Sequence, residues 1–331
     1  MSATPGFLLH DDARHGVARY ARDLAREVGR AVDGDIDVDV GVSESDWSRG
    51  EAPDRVQAQF TDRLWGRSPE DAAERFAALA EGRRVGVTLH DVPQVSDGHA
   101  FERRIAAYRR VVETADLVVV NSRHEESLLE SVGIVPATVA VIPLPVAPPD
   151  PAAVLPSSFE PVAAVLGYVY PGKGHRETIE AVAASGAALR FLALGAPSPG
   201  HEADARELEV IGRRLGLPVS VSGYLDDAAL TAAAARVAVP VVAHQHFSAS
   251  GSVNSWISAG RRPLVLRTRY TEEMAALRPG TLTLVDAEDL ASSIASAATD
   301  PRSTVLASEA VTRPHPSDAA RAYLEAWGAA E

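Results

Sequence analysis

The sequence predicts two doubly wound parallel α/β domains. The chain has 331 residues, and at about 150 residues per domain this length accommodates two hydrophobic cores. Short apolar runs alternate with amphipathic stretches, which is the pattern of parallel βαβ units. The alternation stops once, at a proline-rich stretch, and then starts again. We therefore expect two Rossmann-like domains facing across a cleft, where a ligand would bind.

The elements of the first half follow from the spacing of apolar residues. Val17, Tyr20, Ala21 and Leu24 recur at helical spacing, whereas short apolar runs bounded by polar residues indicate strands. The predicted strands span 7–9, 36–42, 85–89, 117–120 and 139–143. The predicted helices span 17–32, 101–114 and 123–132.

Prolines then mark the domain boundary. They occur at positions 143, 145, 148, 149, 151, 156 and 161. Proline interrupts helices and is excluded from central strands, so this stretch is predicted to be an interdomain linker. The expected domains span residues 1–147 and 148–312.

The second half repeats the alternation with shorter connections. One helix ends near Gly216, and another is expected to begin with Asp226 or Asp227 as its cap. The predicted strands span 162–166, 189–194, 219–221, 237–243, 263–266 and 281–285. The predicted helices span 177–184, 202–215, 227–235, 253–258, 272–277, 287–298 and 318–327.

Composition excludes several classes of function. The net charge is −13, so the phosphate backbone of a nucleic acid is a poor partner. The absence of cysteine excludes disulfides, thiolate metal sites and cysteine nucleophiles. No apolar run is long enough to cross a bilayer, and the N-terminus lacks the features of a signal peptide. We expect a cytoplasmic protein without a transmembrane segment.

Ligands of doubly wound sheets bind where strands end, so the residues that follow each strand are the candidates. After the first strand, His15 and Gly16 open a helix, where glycine permits close approach of a ligand and the helix N-terminus attracts anions. A turn glycine without a ligand is the alternative. After the strand at 85–89 come His90 and Asp91, and a histidine there can bond a polar substrate.

The segment after the strand at 162–166 contains the only lysine of the chain. Residues 167–173 fit the first seven positions of the phosphate loop GxxxxGK, but Gly174 replaces the residue that would bind Mg²⁺. Tyr168 is also bulky for a phosphate cradle. Gly172 and Gly174 leave the backbone free at a helix start. We expect Lys173 to point at phosphate without a true phosphate loop.

The segment after the strand at 237–243 is rich in hydroxyls. Ser248, Ser250, Gly251 and Ser252 stand at a helix start, where backbone N–H groups form a nest for a phosphate or for sugar hydroxyls. The preceding H-x-H sequence, residues 244–246, has no carboxylate or cysteine to complete a zinc site. No metal site is therefore predicted.

Two charged segments have simpler explanations. Residues 33–39 contain D-x-D three times, but the aspartates alternate with apolar residues, as on a half-solvated strand. Arg103, Arg104, Arg109 and Arg110 cluster on one predicted helix. We interpret them as a solvated face, and peripheral membrane contact stays open as an alternative.

Taken in order, these segments resemble the family 4 retaining glycosyltransferases of the GT-B fold. The resemblance covers nearly the whole chain. The segments that carry it are HGVARYARDLA (15–25), VTLHDVP (87–93), ADLVVVNSRHEESLLESVGI (115–134), VAVIPLPV (139–146), LGYVYPGKGHRETIEAV (166–182), SGYLDDAALTAAAARVAVPVVAH (222–244) and SASGSVNSWISAGRRPLV (248–265). It implies that the final helix, in residues 313–331, packs back toward the first domain.

The resemblance also implies roles for matched residues. Lys173 would neutralise the leaving diphosphate, and His90 would contact the donor sugar, so these two are the catalytic candidates. His15 and Asp91 would face the acceptor. The implied donor-binding residues are Gly16, Tyr168, Gly172, Lys173, Gly223, Ser248, Ser250, Gly251 and Ser252. Fixed positive groups would replace a metal, no other cofactor is implied, and the leaving phosphate would accept the proton of the acceptor.

The chain departs from the family pattern at two places. Two glutamates normally stand eight residues apart in the last segment, and here Phe247 and Ser255 occupy those positions. The arginine that often partners the lysine is absent, and Tyr168 stands near its place. The resemblance implies that hydroxyls and amides take over donor recognition, or that activity has been lost.

The sequence thus predicts a hexosyltransferase that moves a sugar from a nucleotide diphosphate to an unidentified acceptor hydroxyl. Two alternatives stay open. One is a non-catalytic protein of the same fold that binds a ligand or partner. The other is a sugar-nucleotide epimerase, which would need carboxylates for acid–base chemistry, and Asp11, Asp12 and Asp91 are the candidates.

Overall fold

A computed structural model describes residues 4–12, 15–33, 39–149 and 158–330 of the chain. The chain divides into two compact units. The first comprises Met1–Pro145 together with Pro314–Glu331, and the second is the continuous segment Val146–Arg313. Within the described part of the chain, none of the helices is both long and apolar enough to span a membrane.

The first unit is built on a six-stranded sheet in which every strand pair is parallel. The order of its strands is β2-β1-β3-β4-β5-β6. The strands are β1 (Gly6–Leu9), β2 (Gly41–Ser43), β3 (Arg55–Phe60), β4 (Arg84–Leu89), β5 (Leu117–Val120) and β6 (Val139–Val141).

Helices connect these strands and cover the sheet. In chain order they are α1 (Gly16–Asp33), α2 (Glu44–Arg49), α3 (Asp62–Trp65), α4 (Pro69–Ala80), α5 (Phe101–Thr114) and α6 (Arg123–Ser131), with a 3₁₀ turn at Val95–Ala100. The C-terminal helix α13 (Pro316–Ala329) belongs to this unit and packs beside α1.

The second unit also has a six-stranded, wholly parallel sheet. Its strand order is β12-β11-β10-β7-β8-β9. The strands are β7 (Glu160–Leu166), β8 (Arg190–Leu194), β9 (Val219–Val221), β10 (Val237–Val242), β11 (Leu264–Leu266) and β12 (Thr283–Val285). This is the strand order of a Rossmann fold. The prediction of two doubly wound α/β domains is confirmed.

The helices of the second unit fall close to the predicted ranges. They are α7 (His175–Ser185), α8 (Glu202–Leu215), α9 (Asp227–Arg236), α10 (Gly251–Ser258), α11 (Arg269–Leu277) and α12 (Leu290–Thr299), with 3₁₀ turns at Ala287–Asp289 and Pro301–Thr304. Of the two proposed caps of α9, Asp226 is the one that accepts a hydrogen bond, from the N–H of Ala229.

Each sheet has one point where the winding direction changes. In the first sheet it lies between β1 and β3, and in the second between β7 and β10. At such a point, the loops after two adjacent strands diverge to opposite faces of the sheet and leave a crevice. The candidate residues His15 and Gly16 follow β1 and the loop 167–174 follows β7, so the topology places both beside a crevice.

No helix or strand is predicted from the sequence between residues 43 and 84, where the structure has α2, β3, α3 and α4. Strand β3 is central in its sheet, yet it carries Gln57 and Gln59 at 0% exposure. These two glutamines interrupt the continuous apolar run by which a central parallel strand is normally recognised. Of the strand predicted at 36–42 and the aspartates at 33–39, residues 34–38 lie outside the described residues, and β2 begins at Gly41.

Those buried glutamines explain how α13 is fixed to the first sheet. Trp327 Nε1 donates to Gln57 Oε1 at 2.9 Å, and Gln57 Nε2 donates to Thr88 Oγ1 at 3.0 Å. Tyr323 Oη lies 2.8 Å from the same threonine hydroxyl. A Cβ atom at Gly86 would approach Gln57 Oε1 to 2.3 Å and Trp327 Cζ2 to 2.7 Å, so a larger residue here would displace both side chains. Polar residues on β3 and β4 therefore determine where the C-terminal helix docks.

We predict that Trp327→Ala lowers the free energy of unfolding of the first unit by about 3–5 kcal/mol, because it removes a buried indole and orphans a buried amide. Urea denaturation followed by circular dichroism measures the change. The control is Glu325→Ala on the exposed side of the same helix, which should stay within about 0.5 kcal/mol of wild type. Equal losses in both variants would contradict the assigned docking role.

Candidate functional site

The loops after β7 and β10 are joined directly at the crevice of the second sheet. Gln245 N donates to Gly172 O at 2.9 Å. Gly174 has a φ of +86°, and a Cβ atom there would lie 2.2 Å from the carbonyl oxygen of Ala243. Only glycine allows both the left-handed backbone and this approach. The glycine after Lys173 is therefore required for packing the two loops together.

A third loop, which the sequence analysis missed, supports the first. Gly195 follows β8, and a Cβ atom there would lie 2.2 Å from the carbonyl oxygen of Gly167. Gly167 N donates to Leu194 O, and Val169 N donates to Ala196 O, both at 2.9 Å. The available signal was positional, since Gly195 directly follows its strand just as Gly167 follows β7.

Lys173 is 9% exposed and turns back under its own loop. A Cβ atom at Gly167 would lie 3.1 Å from its Cε atom, so a side chain at that position would crowd the lysine. Its Nζ atom donates to Ser252 Oγ at 3.3 Å and lies 5.8 Å from the ring centre of Tyr170. Among the described residues no carboxylate forms an ion pair with it. The amine is thus buried beside a hydroxyl without a compensating negative charge.

The predicted hydroxyl nest forms the N-terminus of α10. Ser250 caps the helix by accepting from Val253 N, and its Oγ atom lies 3.2 Å from Ser252 Oγ. Ser248, Ser250 and Ser252 are all buried. Gly251 has open space where a side chain would begin. Helix N-termini carry partial positive charge, so this serine cluster adds to the positive charge of Lys173.

His244 completes the cluster from the loop after β10. Its Nε2 atom lies 3.3 Å from Ser252 Oγ. Its ring packs on Phe247, with centroids 4.7 Å apart, and Phe247 stacks on Tyr270 at 5.1 Å. Tyr270 Oη in turn accepts from Ser250 N at 3.1 Å. The sequence pattern around His244 indicates only a rejected metal site, and no sequence signal marks Tyr270.

The electrostatics of the site follow from burial without carboxylates. Burial lowers the pKa of Lys173 to about 8. Burial and the adjacent lysine lower the pKa of His175, the first residue of α7, to about 3. Burial, Lys173 and His175 hold the pKa of His244 well below its usual range. The two imidazoles are therefore neutral near pH 7, and a bound anion would stabilise the charged forms of all three groups.

Two other predicted donor residues lie less centrally. Tyr168 is half-buried in the loop that Gly195 supports. Gly223 follows β9 with a φ of +75°. Its carbonyl accepts from Ser222 Oγ, which itself accepts from Gly195 N. The contacts of the described residues thus connect Gly223 to the supporting loop and not to Lys173.

The positions where the family carries glutamates have different surroundings. Phe247 is 4% exposed within the aromatic stack. Ser255 lies on α10 and donates its hydroxyl back to Gly251 O. A phenylalanine inside the stack supports the loop that carries His244.

In the first unit, His15 and Gly16 open α1 after β1, as predicted. His15 N donates to Asp12 Oδ1, and its Nδ1 atom accepts from Val17 N at 3.3 Å. Burial lowers the pKa of His15. Gly16 has open space around the site of a Cβ atom. The backbone at the helix start is therefore accessible.

His90 follows β4 and is held on two sides. Its Nε2 atom lies 2.7 Å from Gln59 Oε1, and its ring packs edge-on against Tyr20 with centroids 5.3 Å apart. Burial and the nearby His15 lower the pKa of His90 to about 3. It is a neutral imidazole in a fixed orientation, which suits hydrogen bonding to a sugar and not proton abstraction.

Asp91 is engaged by a buried arginine. Arg104 donates to its Oδ2 atom at 2.9 Å and also pairs with Asp62 and Asp97. Burial raises the pKa of Asp91, and Arg104 opposes that shift. Arg104 is 5% exposed, so the interpretation of the arginine cluster as a solvated face is wrong for this member. Three carboxylates stabilise the buried guanidinium. They are too far apart in the sequence for this pairing to be recognised from it.

Comparison with family models and with the sequences of curated proteins yields no match. The fold, however, matches many solved structures. HepE from Anabaena, in complex with UDP and glucose, has a TM-score of 0.66 at 16% identity, with 97% of this chain and 94% of that chain covered.

Two further matches extend over nearly the whole length of both chains. Sucrose-phosphate synthase from Thermosynechococcus elongatus has a TM-score of 0.68 at 17% identity, with 99% of this chain and 93% of that chain covered. The lipopolysaccharide outer core galactosyltransferase WaaB, in its apo form, has a TM-score of 0.63 at 11% identity, with coverages of 97% and 98%. The protein has the GT-B fold, as the resemblance implied.

We predict that Gly174→Ala destabilises the second unit more than Gly172→Ala does. Both glycines have a φ of +86°, but only Gly174 lies against another backbone. The shared conformational strain costs about 1–2 kcal/mol, and the clash with Ala243 adds to it in one variant alone. Urea denaturation measures both. Equal losses would mean that the approach of the two loops is not a packing constraint.

Proposed function

We propose that this protein is a retaining hexosyltransferase that moves a sugar from a nucleotide-diphosphate donor to an acceptor hydroxyl without a metal ion. The observation that carries the proposal is the buried amine of Lys173, which is hydrogen-bonded to the N-terminal turn of α10 and forms no ion pair with any carboxylate of the described residues. Burying an uncompensated charge is costly, and such a site is stabilised by an anion. HepE in complex with UDP-glucose provides a fold precedent for this donor class.

Within this proposal the residues of the second unit bind the donor phosphates. Lys173 would offset the charge that develops on the diphosphate as the glycosidic bond breaks. The backbone N–H groups at Gly251 and Ser252 and the hydroxyl of Ser250 would bind phosphate oxygens or sugar hydroxyls. The leaving phosphate would then take the proton of the acceptor. Retention is proposed on the resemblance to family 4.

For the first unit we propose contacts to sugars. His90 would donate or accept one hydrogen bond as a neutral imidazole, because Gln59 already engages its Nε2 atom. His15 and the accessible backbone at Gly16 would approach the acceptor or the donor phosphate. Asp91 would act through the arginine-linked cluster, since Arg104 engages its carboxylate.

The contacts of Asp91 also bear on the epimerase alternative. An epimerase needs a carboxylate or another base able to exchange a proton with the sugar. Arg104 already binds the carboxylate of Asp91, while Asp11 and Asp12 are exposed to solvent. This arrangement favours transfer, where the phosphate itself accepts the proton. The non-catalytic alternative predicts nucleotide binding without turnover.

We expect Lys173→Ala to weaken UDP binding by about 30-fold or more, equivalent to about 2 kcal/mol, because a buried charge opposite phosphate is lost. Isothermal titration calorimetry measures the affinity. The matched control is Arg176→Ala, which removes an exposed positive charge three residues along the chain and should leave affinity within about twofold. Equal affinities of Lys173→Ala and wild type would refute the donor-site assignment.

Turnover separates the three functions. Wild-type protein with UDP, GDP and ADP sugars should release nucleoside diphosphate in the presence of an acceptor library, and product NMR should give the retained anomeric configuration. Epimer formation without acceptor would support the epimerase instead. Binding without any product across the donors and acceptors would support the non-catalytic protein.

The affinity for UDP should also fall above about pH 8, since burial lowers the pKa of Lys173 to about 8. Below that pH the amine is charged and attracts the diphosphate. Above it, binding must first charge the amine, so affinity falls toward about tenfold per pH unit. Calorimetry from pH 7 to pH 9.5 tests this, with circular dichroism to verify folding. The residual binding of Lys173→Ala should lack this step, and a flat wild-type profile would contradict the prediction.

A further inference from the structure

The proposed donor site leaves one buried polar group without a role, the imidazole of His244. Its Nε2 atom lies 3.3 Å from Ser252 Oγ, and the same hydroxyl accepts from Lys173 Nζ at 3.3 Å. A single serine therefore joins the histidine to the lysine. The three side chains are each less than a tenth exposed. Any anion that contacts Ser252 would lie within the field of both nitrogens.

The imidazole is held in place by the aromatic stack. Phe247 packs on one face of His244, and Tyr270 packs on Phe247. Tyr270 also binds the backbone N–H of Ser250, in the serine cluster. The ring and the N-terminus of α10 thus form one rigid assembly. This arrangement fixes an imidazole orientation that a merely space-filling histidine would not need.

The groups around His244 carry no balancing negative charge. The loop after β7 contributes Lys173, α7 contributes His175, and α11 contributes the phenol of Tyr270. In the described part of the chain, no ion pair joins a carboxylate to Lys173 or His175. Burial and these neighbours hold the pKa of His244 well below its usual range, so it is neutral in the unliganded protein.

A diphosphate brings two negative charges, whereas Lys173 supplies one positive charge. The arginine that the family often places beside the lysine is absent, with Tyr168 near its position. On the basis of the donor site proposed above, we propose that His244 takes a proton from solvent when the diphosphate binds. The imidazolium is then the second fixed positive charge of the site. Donor binding is thereby linked to the uptake of one proton.

The test uses the full-length protein and UDP-glucose, whose phosphates are both esterified and therefore do not titrate near neutral pH. Calorimetry at about pH 6 in buffers of different ionisation enthalpy gives the number of protons taken up. We expect about one proton for wild type and for His246→Gln, an exposed histidine of the same loop. For His244→Gln we expect none, and an affinity that no longer rises as pH falls from 8 to 6.

Histidine NMR titration of the wild type gives a second measurement that does not depend on a folded variant. One buried imidazole should show a pKa that rises on addition of UDP-glucose. Uptake that persists in His244→Gln, or that His175→Gln abolishes instead, overturns the proposal. Binding of UDP-glucose without proton uptake overturns it and leaves the donor site intact. If neither UDP-glucose nor inorganic pyrophosphate binds, the proposed donor site is refuted as well.

Discussion

The approach of Gly174 to the backbone of Ala243 is the constraint on which the candidate site depends. It fixes the loop after β7 against the loop after β10, at the one position in the sheet where the winding reverses. Lys173 directly precedes Gly174 in the first loop, and Ser252 lies beyond Ala243 in the second. The hydrogen bond between Lys173 and Ser252 therefore depends on the contact between the two backbones. A larger residue at position 174 would separate Lys173 from Ser252 at the N-terminus of α10.

The charge distribution follows from this packing. Two other buried cations of the described structure have clear partners, since Arg104 pairs with three aspartates and Arg261 donates to a set of backbone carbonyls. Among the described residues no carboxylate pairs with Lys173, whose neighbours are the hydroxyl of Ser252 and the neutral imidazoles of His175 and His244. A negative charge on the proposed ligand would stabilise this amine, because burying a charged group without a partner is costly.

Much of the fold was predictable because apolar periodicity determines it locally. The ranges 101–114, 117–120 and 202–215 coincide with α5, β5 and α8. Strand β3 was not recognised, since it carries two buried glutamines: Gln57 binds Thr88 and the distant Trp327, and Gln59 binds His90. In the site, the position of Lys173 after a strand was readable, but the role of His244 depends on Phe247, Tyr270 and Ser252 meeting in space. Such tertiary contacts leave no periodic pattern in the sequence.

The docking of α13 on the first sheet has a consequence for the order of folding. The second unit is one uninterrupted segment, and all of it leaves the ribosome before α13 does. The first unit cannot complete its core until α13 has been synthesised. Until then, Gln57 and Thr88 lack their hydrogen-bond partners on that helix. The part of the chain that is synthesised first is therefore expected to complete its core last.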